Sequence, residues 1–360
     1  MLALAAGLLA LFLHNVDLGR VAGDISRARP AWLILSLASM FLNLAIRSLR
    51  WQYLLEPLGR VSFANAFRAT AVGFAASSVL PARAGEVIRP YFLSRHERIS
   101  ATGAFATVIL ERLLDTATVL ALLASFVFVF GRELAQANSA AFRGVKWAGA
   151  TAGAVALAVL IVLFVLAGDP ARLGRAMTRL EDLLPSAFAG AVARIAETFA
   201  SGLGAIRRPG RLLIALAWSF PLWLCIASGT WAMAMAFDLG IPFTGSFLLT
   251  ALLVLGVAVP TPGAIGGFHE AFRLGTTMFY GVSNDTAVAA ALVLHAVSIL
   301  PALLLGLGFA AHAGINLSRM REMADTATVE APGARSARER ATRREQAWAP
   351  SSGEKRGPVV

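Results

Sequence analysis

Long apolar runs constrain the fold of this chain more than any other feature. Leu212–Phe237 and Thr286–Ser318 contain 26 and 33 residues without a single Asp, Glu, Lys or Arg. A helix that spans the hydrocarbon of a bilayer needs about 20 such residues, and only a helix satisfies its own backbone hydrogen bonds there. The composition agrees, because 57% of the residues are hydrophobic and 15% are charged. The pattern predicts an all-α, polytopic helical membrane protein.

Six apolar runs are candidate spanning helices. The first is shorter than a full span, and we expect it to be completed by neighbouring residues, whereas Asn15–Arg29 is interpreted as a polar connection. The second run ends at Arg47, Arg50, Trp51 and Tyr53, which are typical of an interfacial belt. The six runs are Met1–Leu13, Ala31–Leu55, Gly103–Phe130, Trp147–Gly168, Leu212–Phe237 and Thr286–Ser318.

Two further apolar segments are interrupted by helix breakers. These segments are Ser62–Arg98 and Phe243–Asp285, and each contains Pro and Gly near its middle. Broken helices at membrane depth are tolerated only where they are buried in protein or line a cavity. Both segments are therefore predicted to be re-entrant hairpins. The interrupting residues are Pro81, Gly85, Pro260, Pro262, Gly263, Gly266 and Gly267.

The distribution of basic residues predicts the orientation. With both termini in the cytoplasm, 24 Lys and Arg face the cytoplasm and six face the opposite side, as the positive-inside rule requires. The first hairpin then enters from the cytoplasm and the second from outside, within two units of opposite orientation. Interrupted segments at corresponding positions of such inverted repeats indicate a transport site near the bilayer midplane.

Charged residues in and beside the hairpins are the candidate site. Arginine suits phosphate recognition because its planar fork binds two oxygens and stays charged, although Arg83 and Arg89 can equally anchor the hairpin at the headgroups. The acidic residues after the first hairpin favour either a functional site or a structural ion-pair lock. His269 is a candidate proton relay or a packed side chain. The candidate substrate-binding residues are Arg83, Glu86, Arg89, Glu111, Arg112, Asp115, His269, Glu270 and Arg273.

Two regions outside the hairpins are predicted separately. Asp169–Arg211 has apolar residues at helical spacing and is interpreted as a surface-lying helix, either a connector or a coupling element. Residues 1–315 form the predicted integral membrane domain, and 316–360 form a basic cytoplasmic tail whose composition favours disorder.

Several function classes find no support in the sequence. The net charge of +11 invites a nucleic-acid interpretation, but the basic residues lie in short clusters between apolar runs, as expected beside anionic lipid. The single cysteine, Cys225, rules out a disulfide framework and a cysteine-based metal site. No catalytic motif or metal spacing stands out, so no cofactor is predicted.

Three motifs carry a resemblance to a known family. They are Leu-Pro-Ala-Arg-Ala-Gly-Glu-Val-Ile-Arg-Pro-Tyr at 80–91, Glu-Arg-Leu-Leu-Asp at 111–115 and Pro-Thr-Pro-Gly-Ala-Ile-Gly-Gly-Phe-His-Glu at 260–270. Over about residues 1–315 the chain resembles the lysylphosphatidylglycerol synthase transmembrane-region family, the flippase-like, YbhN-type membrane proteins of bacteria and archaea. The resemblance implies a flippase-like integral membrane domain. Ala264 stands where the family usually has Gly, and the aminoacyl-transferase domain of some relatives is absent, so lysine transfer is not implied.

Three functions remain open at this stage. The leading hypothesis is translocation of an anionic phospholipid or lipid-linked headgroup across the bacterial cytoplasmic membrane. The alternatives are a membrane-embedded transferase acting on a lipid phosphate and a scaffold without transport activity. The expected partners are membrane lipids, and an envelope-biosynthesis enzyme is the candidate protein partner.

Overall fold

The computed structural model is an all-α protein. It describes residues 2–80, 83–130, 143–147, 149–151, 153–154, 158, 209–259 and 261–314, and the regular elements in these ranges are helices. The described helices are α1 (Leu2–Phe12), α2 (Leu18–Arg27), α3 (Pro30–Leu55), α4 (Phe63–Val79), α5 (Gly85–His96), α6 (Ala101–Ser125), α7 (Pro209–Ala236), α8 (Gly245–Ala258), α9 (Gly267–Tyr280) and α10 (Asn284–His312).

Local sequence signals explain where these helices begin. Pro30 occupies the first turn of α3, where its missing N–H costs nothing. Ser62, Ser100 and Ser283 cap α4, α6 and α10, because each hydroxyl accepts a backbone N–H of the first turn. The helix boundaries therefore follow from residues that are visible in the sequence.

The length and hydropathy of the helices confirm a helical membrane protein. Three segments are long and apolar enough to cross a bilayer: Pro30–Leu58, Gly210–Ala236 and Asn284–His312. Helix α6 is 25 residues long but carries charged residues in its middle. The number of spans stays a prediction, because most of Trp147–Gly168 lies outside the described residues, as do Asp169–Ile206 and the tail.

Helices α3 and α7 form a long antiparallel pair. Three hydrogen bonds step along it in opposite directions: Arg29 N–H to Ala236 O at 3.0 Å, Ser36 Oγ to Gly229 O at 3.0 Å, and Asn43 Nδ2 to Leu222 O at 3.1 Å. Each step covers seven residues on both helices, which is two helical turns. The pair is the central seam between the two halves of the protein.

The first interrupted segment is a helical hairpin of α4 and α5. Its ends meet, because both the N–H and the hydroxyl of Ser62 donate to Glu97 Oε1 at 3.0 Å. At the other end the helices approach closely, since a Cβ added to Gly85 would lie 1.8 Å from Gly73 O. Pro81 lies outside the described residues.

The second interrupted segment, α8 and α9, repeats this design. A Cβ added to Gly267 would lie 2.3 Å from Gly256 O, and one added to Gly245 would lie 2.4 Å from the Tyr280 hydroxyl. Gly263 and Gly266 adopt positive φ in the connection, which favours glycine. Pro262 begins a short 3₁₀ turn there, and Pro260 is not among the described residues. Both segments are thus hairpins, and their re-entrant placement in the membrane stays a prediction.

The two halves of the described chain are built alike. The first unit is α3–α6 and the second is α7–α10, and in each unit a long helix is followed by a hairpin and a final helix. The α4–α5 hairpin packs on α10, and the α8–α9 hairpin packs on α6, so each hairpin rests on the last helix of the other unit. Since α3 and α7 run antiparallel, this arrangement agrees with inverted repeats.

The structure corrects two interpretations of the N-terminal region. Asn15–Arg29 is more than a polar connection, because Asp17 caps α2 and that helix packs on α10. Three of the four α3 residues assigned to an interfacial belt are buried: Arg47 is 4% exposed, and Arg50 and Trp51 are fully covered, whereas Tyr53 is partly exposed. Their spacing of three and four places them on one face of α3, and that face meets α6 instead of lipid headgroups.

The glycine contact in the first hairpin yields a stability prediction. Replacing Gly85 with Ala places a methyl group against Gly73 O, and overpacking of this kind costs about 1–3 kcal/mol. We expect Gly85→Ala to lower the thermal unfolding temperature in detergent. Gly308→Ala is the matched control on α10, because nothing lies within 4 Å of its added Cβ. Equal stability of the two variants would contradict the tight hairpin.

Candidate functional site

A cavity of about 460 Å³ lies where the two hairpin connections meet. The connections approach each other at Gly263, where an added Cβ would lie 3.6 Å from Ser78 O. Both units line the cavity, but they contribute different chemistry. The first unit supplies Arg47, Arg83, Glu86, Arg89, Arg112 and Asp115, and the described residues from the second unit are uncharged, among them Trp223, Thr230, Thr250, Leu253, Thr261 and Ser298.

Helix α6 carries two buried carboxylates, of which Asp115 lines the cavity. Glu111 and Asp115 lie four residues apart and therefore share a face; they are 1% and 4% exposed. Glu111 accepts from Arg89 Nη1 at 2.8 Å and from Arg50 Nη2 at 3.3 Å. Its two oxygens thus connect α6 to both α5 and α3.

Asp115 has a separate set of donors. It accepts from Arg50 Nη1 at 2.7 Å, Arg47 Nη1 at 3.0 Å and Trp223 Nε1 at 3.0 Å. Arg112, one turn earlier in α6, is a fourth neighbour at 3.5 Å. A buried carboxylate needs this degree of pairing, because a desolvated charge without partners is strongly unfavourable.

Arg50 is the hub of this buried network. Its guanidinium bridges Glu111 and Asp115 and also donates to Ser219 Oγ on α7 at 2.6 Å. The fork of arginine makes such a bridge possible, whereas lysine presents a single ammonium. The sequence interpretation missed Arg47 and Arg50. Two features of the sequence would have identified them. Both arginines lie on one face of α3, and the two acidic residues of α6 have only Arg112 near them in the sequence and so need further basic partners.

A second, half-exposed group forms the rim of the cavity. Glu86 pairs with Arg83 at 3.0 Å and with Arg112 at 3.1 Å, and the three side chains are 28%, 44% and 36% exposed. Arg83 adopts positive φ two residues before α5 begins. The sequence-predicted residues of the first unit therefore do come together, with Arg112 joining the rim to the buried network.

Arg89 is buried but only partly paired. Its guanidinium lies 3.7 Å from the centroid of the Trp51 ring, and Trp51 is held in turn by a hydrogen bond to Thr107 Oγ1 at 3.0 Å. One terminal nitrogen of Arg89 binds Glu111, whereas Nη2 and Nε have no hydrogen-bond partner within the described part of the chain. Arg89 thus retains capacity to donate hydrogen bonds.

The cluster carries an excess of positive charge. The five arginines outnumber the three carboxylates, which leaves two formal positive charges. Such an excess beside a cavity favours an anion over a cation. The arginines are Arg47, Arg50, Arg83, Arg89 and Arg112, and the carboxylates are Glu86, Glu111 and Asp115.

The charged residues of the second hairpin lie elsewhere. His269 accepts the Gly266 N–H through Nδ1 at 3.3 Å, and its ring packs 5.0 Å from Phe12 and 4.4 Å from His295. His295 donates through Nε2 to Gly263 O at 2.7 Å. These contacts hold the hairpin connection in place. His269 does not appear among the residues that line the cavity.

Glu270 and Arg273 form an ion pair within one turn of α9. Arg273 Nε donates to Glu270 Oε2 at 2.8 Å, and Nη1 donates to Asn284 Oδ1 at 2.9 Å. The pair therefore ties α9 to the start of α10 and, like His269, stands apart from the cavity lining. A substrate contact by any of these three residues stays a prediction.

Comparisons with known proteins agree with the helical membrane architecture. Residues 1–306 match the family model described as the lysylphosphatidylglycerol synthase TM region. Over 105 residues, or 28% of this chain, the sequence is 32% identical to a UPF0104 membrane protein of Methanocaldococcus jannaschii. Over 111 residues, or 30% of this chain, it is 31% identical to a UPF0104 membrane protein of Methanothermobacter thermautotrophicus. The matched stretches span 31% and 33% of these relatives.

The buried network yields a prediction for Asp115. Replacing it with Asn leaves Arg47 and Arg50 without an ionised partner at this position, and breaking a buried pair costs about 3–5 kcal/mol. We expect Asp115→Asn to lower the free energy of unfolding of the purified protein in detergent by that amount.

The matched control is Asp238→Asn, which breaks the exposed ion pair with Arg29. An exposed pair contributes about 0–1 kcal/mol, so the control variant should unfold close to wild type. Equal unfolding of the two variants would show that the network contributes no more than a surface ion pair.

Proposed function

The chain belongs to the lysylphosphatidylglycerol synthase TM region family, and on this basis we propose that it translocates a phospholipid or a lipid-linked substrate across the cytoplasmic membrane. One observation carries the proposal: a single cavity between the two hairpin connections has arginines on one wall and uncharged residues on the other. A lipid has this same division between a charged headgroup and an apolar chain.

The first unit offers the contacts that a lipid phosphate requires. Arg83 and Arg112 are partly exposed at the rim, and buried Arg89 has nitrogen atoms without a hydrogen-bond partner among the residues that the structure describes. Arginine binds phosphate oxygens in pairs through its planar fork. We therefore assign the headgroup phosphate to the side of the cavity formed by α5 and α6.

The second unit offers an uncharged surface, with apolar side chains for the rest of the lipid and a few hydroxyls among them. Its contribution to the cavity wall includes Leu253, Val257, Leu294 and Ile299. A volume of about 460 Å³ is within the range of roughly 300–1,000 Å³ that is usual for small-molecule sites. The cavity therefore suits a headgroup together with the first part of its chains.

The relation between the two units supports transport over static binding. Transporters with inverted repeats bind substrate between the repeats and expose it alternately by moving one repeat against the other. Here the cavity lies between the units, and each hairpin rests on the final helix of the opposite unit. A movement of one unit relative to the other would change the walls of the cavity and its access together.

The proposed orientation places both termini in the cytoplasm. Arg47, Arg50 and Arg89 are buried and therefore leave the count of headgroup-facing residues. The remaining basic residues still favour the cytoplasmic side by 21 to six. This asymmetry supports entry of the α4–α5 hairpin from the cytoplasm and of the α8–α9 hairpin from outside.

Cysteine labelling tests this orientation. In a Cys225→Ala background, Arg98→Cys reports the end of the first hairpin and Pro242→Cys reports the start of the second, since both positions are exposed. A membrane-impermeant maleimide added to intact cells should label residue 242 but not residue 98. Labelling of both residues from the same side would contradict the opposite entry of the hairpins.

Arg83→Lys tests phosphate recognition. The change keeps the charge but removes the fork, and Arg83 lies at the rim with a side chain 44% exposed. We expect normal insertion and stability but loss of most translocation of fluorescent phospholipid in proteoliposomes. Arg98→Lys is the matched control, because Arg98 is exposed and does not line the cavity.

Equal translocation by wild type and Arg83→Lys would rule out fork-like recognition at this residue. It would favour the alternative that Arg83 anchors the hairpin at the headgroups. A chemically altered lipid in the vesicles would instead favour a transferase.

A further inference from the structure

We infer that the cavity selects an anionic lipid headgroup that carries no amine, such as phosphate joined to a neutral polyol or sugar. The inference rests on the proposed lipid-binding function of the same cavity and narrows its substrate class. It is carried by the placement of the three carboxylates and by the uncharged residues of the opposite wall.

Every carboxylate of the charged cluster is already paired with at least two arginines. Glu111 binds Arg50 and Arg89. Asp115 binds Arg47, Arg50 and Arg112. Glu86, the most exposed of the three, binds Arg83 and Arg112. An ammonium group on a substrate would therefore compete with arginines for each of them.

The second unit provides no substitute for these carboxylates. The described residues that it contributes to the wall are uncharged, and their polar groups include the hydroxyls of Thr250, Thr261 and Ser298. Thr250 and Thr261 are at least nine-tenths buried, and their hydroxyls have no hydrogen-bond partner among the described residues. Buried hydroxyls are normally satisfied, and a neutral hydroxylated headgroup in the cavity would be a suitable partner.

The net positive charge of the cluster also disfavours binding of an amine. An ammonium that enters the cavity loses its hydration and meets an excess of arginines. No unpaired carboxylate then offsets the free-energy cost of its desolvation. Binding of a phosphate is favoured, because the cluster carries two more positive than negative formal charges. Phosphatidylglycerol satisfies both conditions, whereas phosphatidylethanolamine and lysylphosphatidylglycerol each bring at least one amine.

Lipid binding to the purified full-length chain tests the inference directly. Native mass spectrometry in detergent would compare phosphatidylglycerol, phosphatidylethanolamine and lysylphosphatidylglycerol at equal concentration. We expect phosphatidylglycerol to bind about tenfold more tightly than either amine-bearing lipid. A tenfold ratio is small compared with the cost of burying an ammonium without a carboxylate partner. Equal or tighter binding of an amine-bearing lipid by wild type would overturn the inference.

A pair of variants tests the role of the paired carboxylates. Arg83→Gln with Arg112→Gln leaves Glu86 free at the rim, while Asp115 keeps Arg47, Arg50 and Trp223. This double variant should bind every phospholipid more weakly because it lacks two phosphate-binding arginines, but its affinity for phosphatidylethanolamine relative to phosphatidylglycerol should gain over that of wild type. Adding Glu86→Gln removes the freed carboxylate and should abolish the gain. A double variant without any gain, or a gain that survives Glu86→Gln, would contradict the argument.

Translocation of the same lipids in proteoliposomes separates the two proposals. Selective binding without movement of any lipid would support the headgroup inference and overturn the proposed translocation. Movement of all three lipids at similar rates, with equal binding, would support translocation and overturn the inference. Selective binding together with selective movement of phosphatidylglycerol would support both.

Discussion

The need to pair charges away from water is the constraint on which the rest of the structure depends. Glu111 and Asp115 lie near the middle of α6, and arginines from α3 and α5 surround them. Because a buried charge without a partner is strongly unfavourable, these pairs fix how α3, α5 and α6 sit against one another. Ser219 and Trp223 extend the same network to α7. A single ionic cluster thus joins the first unit to the seam between the two units.

The same cluster gives the cavity its chemistry. The arginines that neutralise the carboxylates exceed them in number, so the network that stabilises the helices also carries a positive surplus. In the proposed function, this surplus attracts the anionic part of a substrate. In the proposed function, structural pairing and anion recognition depend on the same side chains. Arg89 is the example, because it binds Glu111 and also has nitrogens without a hydrogen-bond partner among the described residues.

The two units share a backbone design but differ in charge. In the first hairpin an added Cβ on Gly73 would meet Arg89 Cβ at 2.8 Å, and in the second an added Cβ on Gly256 would meet Ala271 Cβ at 2.7 Å. Arg89 and Ala271 thus occupy equivalent positions. The close approach of helices within each hairpin is preserved, whereas the charged residue is present in only one of them. The asymmetry places the arginines of the cavity in the first unit and its uncharged wall in the second.

The sequence by itself determined the helical membrane class, the positions of both hairpins and the place of Glu111 and Asp115 within an apolar helix. Apolar length, helix breakers and charge in an apolar run are local properties, so no tertiary contact is needed to recognise them. It did not determine the partners of these charges. Arg47 and Arg50 resemble an interfacial belt in the sequence, but α3 turns them towards α6, while His269 packs against Phe12 and His295. Helical spacing shows which residues share a face, but only tertiary packing decides which helix that face meets.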